Sequence, residues 1–439
     1  MSPPLPLTAR RPSAPLLGTA RVPGDKSISH RALMFAALAI GQTRIEGLLE
    51  GEDVLRTTAA MQSLGASIAR DGEAWLVRGR GVGGLVEPLD VLDMGNSGTA
   101  ARLLTGMLAS HDLFAVMTGD ASLRSRPMRR VTEPLLQCGA RFTARAGGHL
   151  PLAIEGARDA WPLDYRLPVA SAQVKSAILL AGLNARGATR VEEPIPTRDH
   201  TENMLRHFGA QVTVEHAGSE RVITLQGQPE LMARDIVVPG DPSSAAFPAV
   251  AALLVPGSHV TLPGVGLNPL RTGLFTTLRE MGANITVANP RIEGGEPIGD
   301  LVVQHARLVG VDVPPERAPS MIDEFIVLAV AAAFADGSTR MQGLGELRVK
   351  ESDRLAATAA MLASAGVDVT VDGDDLVVFG GRVPGGCTVA THMDHRLAMS
   401  ALVMGLAADE PVGVDDSAFI ETSFPGFAAL MRSLGADIS

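Results

Sequence analysis

The sequence predicts an α/β fold with two similar domains, each made of three repeat units whose sheets lie outside a set of buried helices. Three observations support this prediction. At 439 residues, the chain is longer than a single hydrophobic core usually supports. A short glycine-centred signature recurs six times at intervals of 69 to 84 residues, which predicts copies of one supersecondary unit. A pentapeptide near the N-terminus also returns in the middle of the chain.

The recurring signature marks the end of a helix and the start of a strand. Amphipathic stretches such as RTTAAMQSLG and TTLREMG are followed by β-forming stretches such as ITV. Glycine at this point is typical of a helix C-cap in the left-handed conformation. The six predicted capping glycines are Gly65, Gly139, Gly209, Gly282, Gly366 and Gly435.

A second repeated element is an apolar stretch that follows a polar, turn-forming start. The six stretches are RALMFAALA, ARLLTGML, VKSAILLAGL, FPAVAALLV, FIVLAVAAAFA and RLAMSALVMG. They are apolar on nearly every side, which is typical of buried helices. The Ser, Asp, Asn and Gly residues in front of them are typical helix starts.

The domain division follows from the repeated pentapeptide. PGDKS at residues 23–27 returns as PGDPS at residues 239–243, with three repeat units before it and three after it. We therefore expect one domain at residues 23–239 and a second, discontinuous domain at residues 1–22 and 240–439.

Composition and motifs exclude several classes of protein. A net charge of −10 and 15 aromatic residues argue against a nucleic-acid surface, and no apolar stretch is long enough to span a membrane. The GxGxxG motif at residues 79–84 is followed by Pro88 where a dinucleotide site requires a helix, and the HxxH motif at residues 392–395 has no third metal ligand nearby. With only Cys138 and Cys387 and no signal-peptide segment, we expect a cytoplasmic protein without cofactor, metal, nucleic-acid or membrane partner.

The predicted helix starts also indicate an anion site. A helix N-terminus presents unpaired N–H groups and a positive dipole end, so three converging starts in each domain would form two positive sites facing each other across a cleft. For any one start taken alone, a simple capping role is the favoured interpretation. The cations and the glycine near these starts are Lys26, Arg31, Arg102, Lys175, Arg396 and Gly98.

Three charged segments are candidates for ligand contacts. Residues 124–130 hold four arginines, which either form a solvated loop or bind carboxylate and phosphate oxygens. Lys350 and Arg354 are spaced i, i+4, which predicts one helix face, with salt bridges as the alternative to ligand binding. Asp323 and Glu324 open an apolar helix, where a carboxylate either caps the helix or acts as a general base.

Together these segments resemble the 5-enolpyruvylshikimate-3-phosphate (EPSP) synthase family, or 3-phosphoshikimate 1-carboxyvinyltransferases. The matching motifs run in order from about Arg21 to the C-terminus: PGDKSISHRAL, GNSGTAARLL, SRPMRRV, SAQVKSAILLAGL, PSMIDE, RVKESDRL, DHRLAMS and TSFPGF. The amino-acid sequences of these motifs resemble those of the branch that includes glyphosate-tolerant bacterial enzymes. The resemblance implies two domains of three βαβαββ units each, an inside-out α/β barrel arrangement with a cleft between the domains, and a monomer.

The resemblance also implies a reaction and its residues. The enolpyruvyl group of phosphoenolpyruvate would pass to the 5-hydroxyl of shikimate 3-phosphate, with release of phosphate, in aromatic amino acid biosynthesis. Shikimate 3-phosphate would contact Lys26, Ser27, Arg31, Ser171, Ala172, Gln173, Arg198, Asp323 and Lys350. Phosphoenolpyruvate would contact Lys26, Gly98, Arg126, Gln173, Arg354 and Arg396. Asp323 would be the base, with Glu351 and Lys26 as proton carriers.

Two positions depart from the family's pattern. Thr422 stands where some members carry a lysine before the Ser/Thr-Phe-Pro turn, and Glu346 stands where many carry an asparagine. The first departure removes one phosphoenolpyruvate contact, and we expect no substrate role for Glu346. Gly98 has no side chain, so alanine there would crowd an inhibitor longer than the substrate.

Three alternatives stay open from the sequence. The sister enzyme that acts on UDP-N-acetylglucosamine characteristically has a cysteine ahead of its Ala-Arg-Pro turn, and the corresponding stretch GDASLRSRPM has none. A related-fold RNA terminal-phosphate cyclase would need a basic surface and stacking residues. A repeat scaffold without catalytic activity would not need charged residues at so many helix starts.

Overall fold

The structure is a computed structural model that describes residues 4–218, 220–350 and 352–439. Within this part of the chain the strands are β1 (Leu7–Arg10), β2 (Leu17–Thr19), β3 (Gln42–Glu46), β4 (Ser67–Asp71), β5 (Ala74–Arg78), β6 (Leu92–Asp93), β7 (Phe114–Thr118), β8 (Arg141–Arg145), β9 (His149–Glu155), β10 (Asp164–Arg166), β11 (Ala188–Glu193), β12 (Val212–Ala217), β13 (Glu220–Gln226), β14 (Ile236–Val237), β15 (His259–Gly266), β16 (Asn284–Glu293), β17 (Glu296–Gln304), β18 (Asp312–Val313), β19 (Ser338–Met341), β20 (Asp368–Asp372), β21 (Asp375–Phe379), β22 (Cys387–Val389), β23 (Val412–Val414) and β24 (Asp437–Ile438).

The helices alternate with these strands. They are α1 (Lys26–Leu38), α2 (Glu52–Ser63), α3 (Gly98–Ala109), α4 (Ala121–Ser125), α5 (Arg129–Leu135), α6 (Ala172–Leu183), α7 (His200–His207), α8 (Pro242–Leu254), α9 (Gly273–Glu280), α10 (Phe325–Ala333), α11 (Arg354–Ser364), α12 (His395–Gly405) and α13 (Phe427–Ser433). Over the described ranges, none of these helices combines the length and the apolar character needed to cross a membrane.

The chain divides into two compact units. The middle unit comprises Gly24–Val238 and Ile292–Glu296, and the terminal unit comprises the N-terminal segment up to Pro23, Pro239–Arg291 and Pro297–Ser439. Buried apolar residues form a large core cluster within each unit. Each unit is therefore a compact structure with a core of its own.

Each unit contains three four-stranded sheets with one common strand order. The middle unit has β6-β7-β9-β8, β10-β11-β13-β12 and β14-β3-β5-β4, and the terminal unit has β2-β15-β17-β16, β18-β19-β21-β20 and β22-β23-β1-β24. The first two strands of every sheet pair in parallel. The predicted α/β fold of repeated strand–helix units is confirmed, with six separate sheets rather than a closed barrel over the described residues.

Three sheets are completed by a strand that is distant in sequence, and the first of these strands is β2, which pairs in parallel with β15. β14 pairs in parallel with β3, so the end of the middle unit's main segment lies beside its beginning. β1 pairs antiparallel with both β23 and β24, so the N-terminal strand completes the last sheet of the chain.

The apolar helix of each repeat is largely buried. Every residue of α10 is buried, as is every residue of α6 from Val174 to Leu183. Close helix packing depends on small residues, because a Cβ added at Gly106 of α3 would lie 2.1 Å from the Ala177 carbonyl oxygen of α6. The all-round apolar sequences of these helices therefore correspond to burial on all sides.

The predicted helix ends are also confirmed. Side-chain oxygens accept hydrogen bonds from nearby backbone N–H groups at the starts of five buried helices; these caps are Asp25, Ser97, Ser171, Asp241 and Asp394. All six glycines predicted as C-caps have φ between 80° and 102°. L-residues with a side chain rarely adopt this backbone conformation, which explains the recurrence of glycine.

The close α3–α6 approach predicts a large cost for a single methyl group. Gly106→Ala should lower the free energy of unfolding by about 3 kcal/mol, since the added Cβ overlaps a backbone oxygen that has no space to move. Chemical denaturation measures this change. In the control Gly266→Ala, the new Cβ meets no atom closer than 3.6 Å, so stability should hold or rise by up to about 1 kcal/mol. Equal effects of the two substitutions would contradict this packing.

Candidate active site

The predicted site residues form two sets, one in each unit. The middle-unit set is Lys26, Ser27, Arg31, Gly98, Arg126, Ser171, Ala172, Gln173 and Arg198, and the terminal-unit set is Asp323, Lys350, Arg354 and Arg396. Glu351, the remaining predicted residue, lies outside the described residues.

The starts of α1, α3 and α6 meet in the middle unit. Arg102 Nη1 of α3 donates to Gln173 Oε1 of α6 at 2.9 Å, and Gln173 Nε2 donates back to Thr99 Oγ1 at 3.1 Å. His30 Nε2 of α1 lies 3.5 Å from the Oγ of Ser97, which caps α3. Three positive helix ends are therefore close together, as the sequence predicts.

Gly98 lies between two guanidinium groups at the start of α3. A Cβ built on it would lie 2.9 Å from Arg102 Nη1 and 3.3 Å from Arg126 Nη1. Arg126 is half-buried, and its Nη2 donates to Asn96 Oδ1 at 2.9 Å. The other arginines of the 124–130 segment, Arg124, Arg129 and Arg130, are exposed. One of the four arginines therefore turns inward, toward the helix start.

Lys26 and Ser27 form the first turn of α1. Lys26 Nζ lies 2.5 Å from Asp53 Oδ2 at the start of α2, and its side chain is partly exposed. The Ser27 carbonyl accepts a hydrogen bond from Arg31 Nη1 at 2.9 Å. Asp53 therefore orients Lys26, a role that the sequence did not indicate.

Arg31 is buried and is held by its own unit. Its Nε donates to Thr201 Oγ1 and its Nη2 donates to Ser176 Oγ, both at 2.8 Å. Burial lowers the pKa of Arg31 to about 10, so the guanidinium remains charged at neutral pH. Arg31 thus supplies positive charge from beneath the helix starts.

Ser171 and the next two residues start α6. Ser171 Oγ accepts from the Val174 N–H at 3.4 Å and caps the helix, which leaves Ala172 and Gln173 in its first turn. All three are half-buried, as is Arg198 in the segment before α7. Lys175, which the sequence grouped with the anion-site cations, is instead fully buried between two carboxylates.

Arg354 is the centre of the terminal-unit set. Its Nε donates to Asp394 Oδ2 at 2.7 Å, and its Nη1 donates to Asp323 Oδ1 at 3.2 Å. Lys350 Nζ lies 3.6 Å from the same Asp323 oxygen. Asp323 is therefore a carboxylate held between two cations, a position in which it can accept hydrogen bonds from hydroxyl groups.

The prediction that Lys350 and Arg354 share a helix face is wrong. α11 begins at Arg354, and Lys350 ends the short 3-10 helix Gly345–Val349. Asp353 caps α11 by accepting from the Ala356 N–H, which places the helix start after Lys350. The two cations still meet, but they do so at the Asp323 carboxylate.

Arg396 joins the starts of α10 and α12. Its Nη1 donates to the Asp323 carbonyl at 3.1 Å and lies 3.4 Å from Glu324 Oε1. The Ser243 hydroxyl of α8 also donates to Glu324 Oε1. The starts of α8, α10 and α12 therefore converge on Glu324, in the same way as the three starts in the middle unit.

The two departures from the family's pattern have local partners. Thr422 Oγ1 donates to the Phe419 carbonyl at 2.7 Å within its own turn. Glu346 Oε1 accepts from Lys350 Nζ at 3.0 Å. Neither observation assigns these residues a ligand.

His30 is a buried neutral imidazole among the middle-unit cations. Its Nδ1 lies 2.7 Å from Thr57 Oγ1 of α2. Burial lowers the pKa of His30 to about 3, and the charges of Lys26 and Arg31 add to this shift. The ring therefore connects α1, α2 and α3 without adding charge.

The residues that the sequence missed are those that hold the predicted cations. They are His30, Asp53 and Asp394, whereas Glu324, which the sequence offered as a cap or a general base, lies beside Arg396. Asp394 carries a signal, because an aspartate directly before an apolar helix is typical of an N-cap. The partners of Lys26 and Arg396 come from separate segments of the chain, and no local pattern indicates them.

The fold and the site define an α/β protein with clustered helix starts and cations, a class suited to anionic ligands. Residues 10–431 match the family described as EPSP synthase (3-phosphoshikimate 1-carboxyvinyltransferase). The chain is 71% identical to a protein named 3-phosphoshikimate 1-carboxyvinyltransferase from Granulibacter bethesdensis, over 99% of this chain and 97% of that protein. A protein of the same name from Acidiphilium cryptum is 70% identical, over 99% and 98% of the two chains.

A solved structure gives the same result. EPSP synthase from Acinetobacter baumannii superposes with a TM-score of 0.89 at 44% identity, covering 99% of both chains. This chain therefore belongs to the EPSP synthase family. The family and the transferase class predicted from the motifs are confirmed.

The buried imidazole predicts a pH dependence of stability. Between about pH 6.5 and 3, the unfolded chain binds a proton on His30 and the folded chain does not, so this residue lowers stability as the pH falls. Relative to His30→Gln, the wild-type free energy of unfolding should drop by about 1.4 kcal/mol per pH unit below pH 6.5.

Denaturation at pH 7.0, 5.5 and 4.5 measures the difference. The packing variant Leu33→Ala in the same helix removes a fully buried side chain without a titratable group, so its difference from wild type should not change with pH. A His30→Gln difference that is equally constant would show that the folded state takes up the proton.

Proposed function

We propose that this chain carries out the reaction of its family with the two residue sets described above. The chain transfers the 1-carboxyvinyl group of phosphoenolpyruvate to the 5-hydroxyl of shikimate 3-phosphate and releases phosphate, a step of aromatic amino acid biosynthesis. The observation that carries the proposal is the convergence of three helix starts, with the guanidinium groups of Arg102 and Arg126 next to Gly98, in a member of this family. The division into one domain at residues 23–239 and a second at residues 1–22 and 240–439 is part of this proposal.

Phosphoenolpyruvate takes the most cationic positions of both sets. Its carboxylate and phosphate suit Arg126, whose guanidinium lies against Gly98, and Arg354 and Arg396 of the terminal unit. Lys26 and Gln173 complete this binding group. Charge-assisted hydrogen bonds contribute roughly 1.5–3 kcal/mol each, so a few of them hold a dianion on an acidic protein.

Shikimate 3-phosphate takes the start of α6. Its phosphate suits the Ser27 and Ser171 hydroxyls, the first N–H groups of α6 and the Arg198 guanidinium, with the buried Arg31 charge beneath them. Its ring hydroxyls suit Asp323 and Lys350, which already lie next to each other in the terminal unit.

Asp323 is the base of the reaction. It accepts the proton of the 5-hydroxyl while the hydroxyl oxygen bonds to C2 of phosphoenolpyruvate, and Lys26 with Glu351 delivers a proton to C3. The tetrahedral adduct then returns a C3 proton to Lys26 or Glu351 and expels phosphate, which restores the enol ether. The surrounding cations stabilise the negative charge on the departing phosphate.

Three further expectations remain proposals. The chain acts as a monomer, it is located in the cytoplasm, and it belongs to the branch with glyphosate-tolerant members. Light-scattering mass, cell fractionation and glyphosate inhibition measure these properties separately.

Release of inorganic phosphate tests the proposed function. Release should require both shikimate 3-phosphate and phosphoenolpyruvate, and UDP-N-acetylglucosamine should not replace shikimate 3-phosphate. Release with the nucleotide sugar would assign the chain to the sister reaction.

Removal of the Asp323 carboxylate separates turnover from binding. Asp323→Ala should lower kcat by about 10²- to 10⁴-fold, while the dissociation constants of both substrates change only a few-fold. Arg354 stays in place because Asp394 holds it independently. Asp323→Asn preserves the shape but cannot act as the base, so it should be equally slow. Turnover near wild type in the asparagine variant would remove Asp323 as the base.

The contacts of Gly98 predict altered inhibition. A methyl group at this position would press on the guanidinium groups of Arg102 and Arg126, so Gly98→Ala should raise the glyphosate inhibition constant at least tenfold, about 1.4 kcal/mol. The KM for phosphoenolpyruvate should rise less, because this substrate is shorter. Gly266→Ala, whose methyl group meets no close atom, is the control and should leave both constants unchanged. An unchanged inhibition constant in Gly98→Ala would refute this placement of the inhibitor.

A further inference from the structure

A buried ion cluster lies behind the proposed phosphate site of the middle unit. Lys175 Nζ of α6 lies 3.0 Å from Glu193 at the end of β11 and 2.8 Å from Glu202 of α7, and all three side chains are almost fully buried. Burial by itself lowers the pKa of Lys175, but the Glu202 and Glu193 carboxylates outweigh it and raise the value above the ordinary one. The lysine is therefore a buried ammonium that binds three separate elements together.

The cluster also holds the segment between β11 and α7. Glu193 Oε1 accepts from the Thr197 N–H at 3.2 Å and from the Thr197 hydroxyl. Lys175 Nζ donates to the Thr197 carbonyl at 3.3 Å. Both polar groups of the Thr197 backbone and its hydroxyl are thus bound to the cluster, one residue before Arg198.

The same cluster also interacts with Arg31, the buried cation of α1. Glu202 attracts the Arg31 guanidinium, which also donates to Thr201 next to it in α7. The Thr201 and Ser176 hydroxyls lie 2.8 Å apart, which connects α7 to α6. Burial of charges is costly unless each has a close partner, so this cluster stays intact only while α1, α6 and the 194–199 segment keep their positions.

We infer that Lys175, Glu193 and Thr197 are positioning residues that hold Arg198 at the phosphate of shikimate 3-phosphate. The inference rests on the proposed function, which assigns Arg198 to this phosphate. The three residues act through the 194–199 segment and touch no substrate. Since Arg198 contacts the substrate equally before and during the reaction, their loss weakens substrate binding and leaves turnover nearly unchanged.

Thr197→Val tests the inference with little change in volume. It removes the hydroxyl that donates to Glu193, so the KM for shikimate 3-phosphate should rise at least fivefold. The KM for phosphoenolpyruvate and kcat should stay within twofold of wild type. Thr197→Ser restores the hydroxyl and should restore the KM.

Thr43→Val is the matched control. Thr43 lies in β3 of the same unit and is fully buried, and within the described residues its hydroxyl has no hydrogen-bond partner. The substitution is chemically identical, so it reports the general effect of losing a buried hydroxyl. All kinetic constants should stay within twofold.

A double-mutant cycle distinguishes positioning of Arg198 from a general loss of structure. In an Arg198→Ala background, Thr197→Val should have no further effect on the KM for shikimate 3-phosphate. An equal rise in both backgrounds, or no rise in the wild-type background, overturns the inference. If Thr197→Val does not fold, Lys175→Arg, which keeps the charge but not the shape, is measured in the same cycle with the same expectation.

Failure of the proposed function gives a different result. In that case the wild-type chain releases no phosphate from the two substrates, and the kinetic comparison cannot be made. Calorimetric titration of wild type and Thr197→Val with shikimate 3-phosphate then applies: at least fivefold weaker binding in the variant supports the positioning role, and equal or absent binding in both overturns it.

Discussion

The direction of the buried helices is the constraint on which both residue sets depend. In four of the six repeats a buried helix connects two parallel strands, so it runs opposite to them and begins where the first strand ends. The other two buried helices, α1 and α8, precede β3 and β15 in the same way, and the parallel partners of these strands come from distant segments. Within each unit, three repeats therefore bring three helix starts together, each with unpaired N–H groups. Contacts among Gln173, Thr99 and Arg102 in the middle unit, and among Ser243, Glu324 and Arg396 in the terminal unit, show this convergence.

Local pairing explains how a chain with a net charge of −10 carries anion sites. Carboxylates hold the cations in place: Asp53 beside Lys26, Asp394 beside Arg354 and Glu324 beside Arg396. Because each cation is already held in place, its side chain does not need to be ordered when a ligand binds. The acidic residues at these helix starts therefore serve to orient the cations, so the overall charge does not determine the local charge.

The periodic features could be predicted from sequence, whereas the contacts between distant segments could not. Gly65 and its five counterparts, the apolar helices and the capping residues all have local causes, namely backbone conformation, burial and unpaired N–H groups. Lys350 shows the limit, because its i, i+4 spacing with Arg354 predicted a helix that begins only at Arg354. Lys175 is a second example of this limit. A lysine near a helix start predicts an anion site, but Glu193 and Glu202 from later segments of the chain enclose Lys175. The predicted cation positions came largely from motif resemblance.

A structure of this chain with shikimate 3-phosphate bound tests the central claim most directly. The account predicts that the phosphate oxygens lie within hydrogen-bond distance of the first N–H groups of α6 and of the Ser171 hydroxyl, with the Arg198 guanidinium beside them. A phosphate bound away from the helix starts, on exposed arginines such as Arg129 or Arg130, would contradict the account.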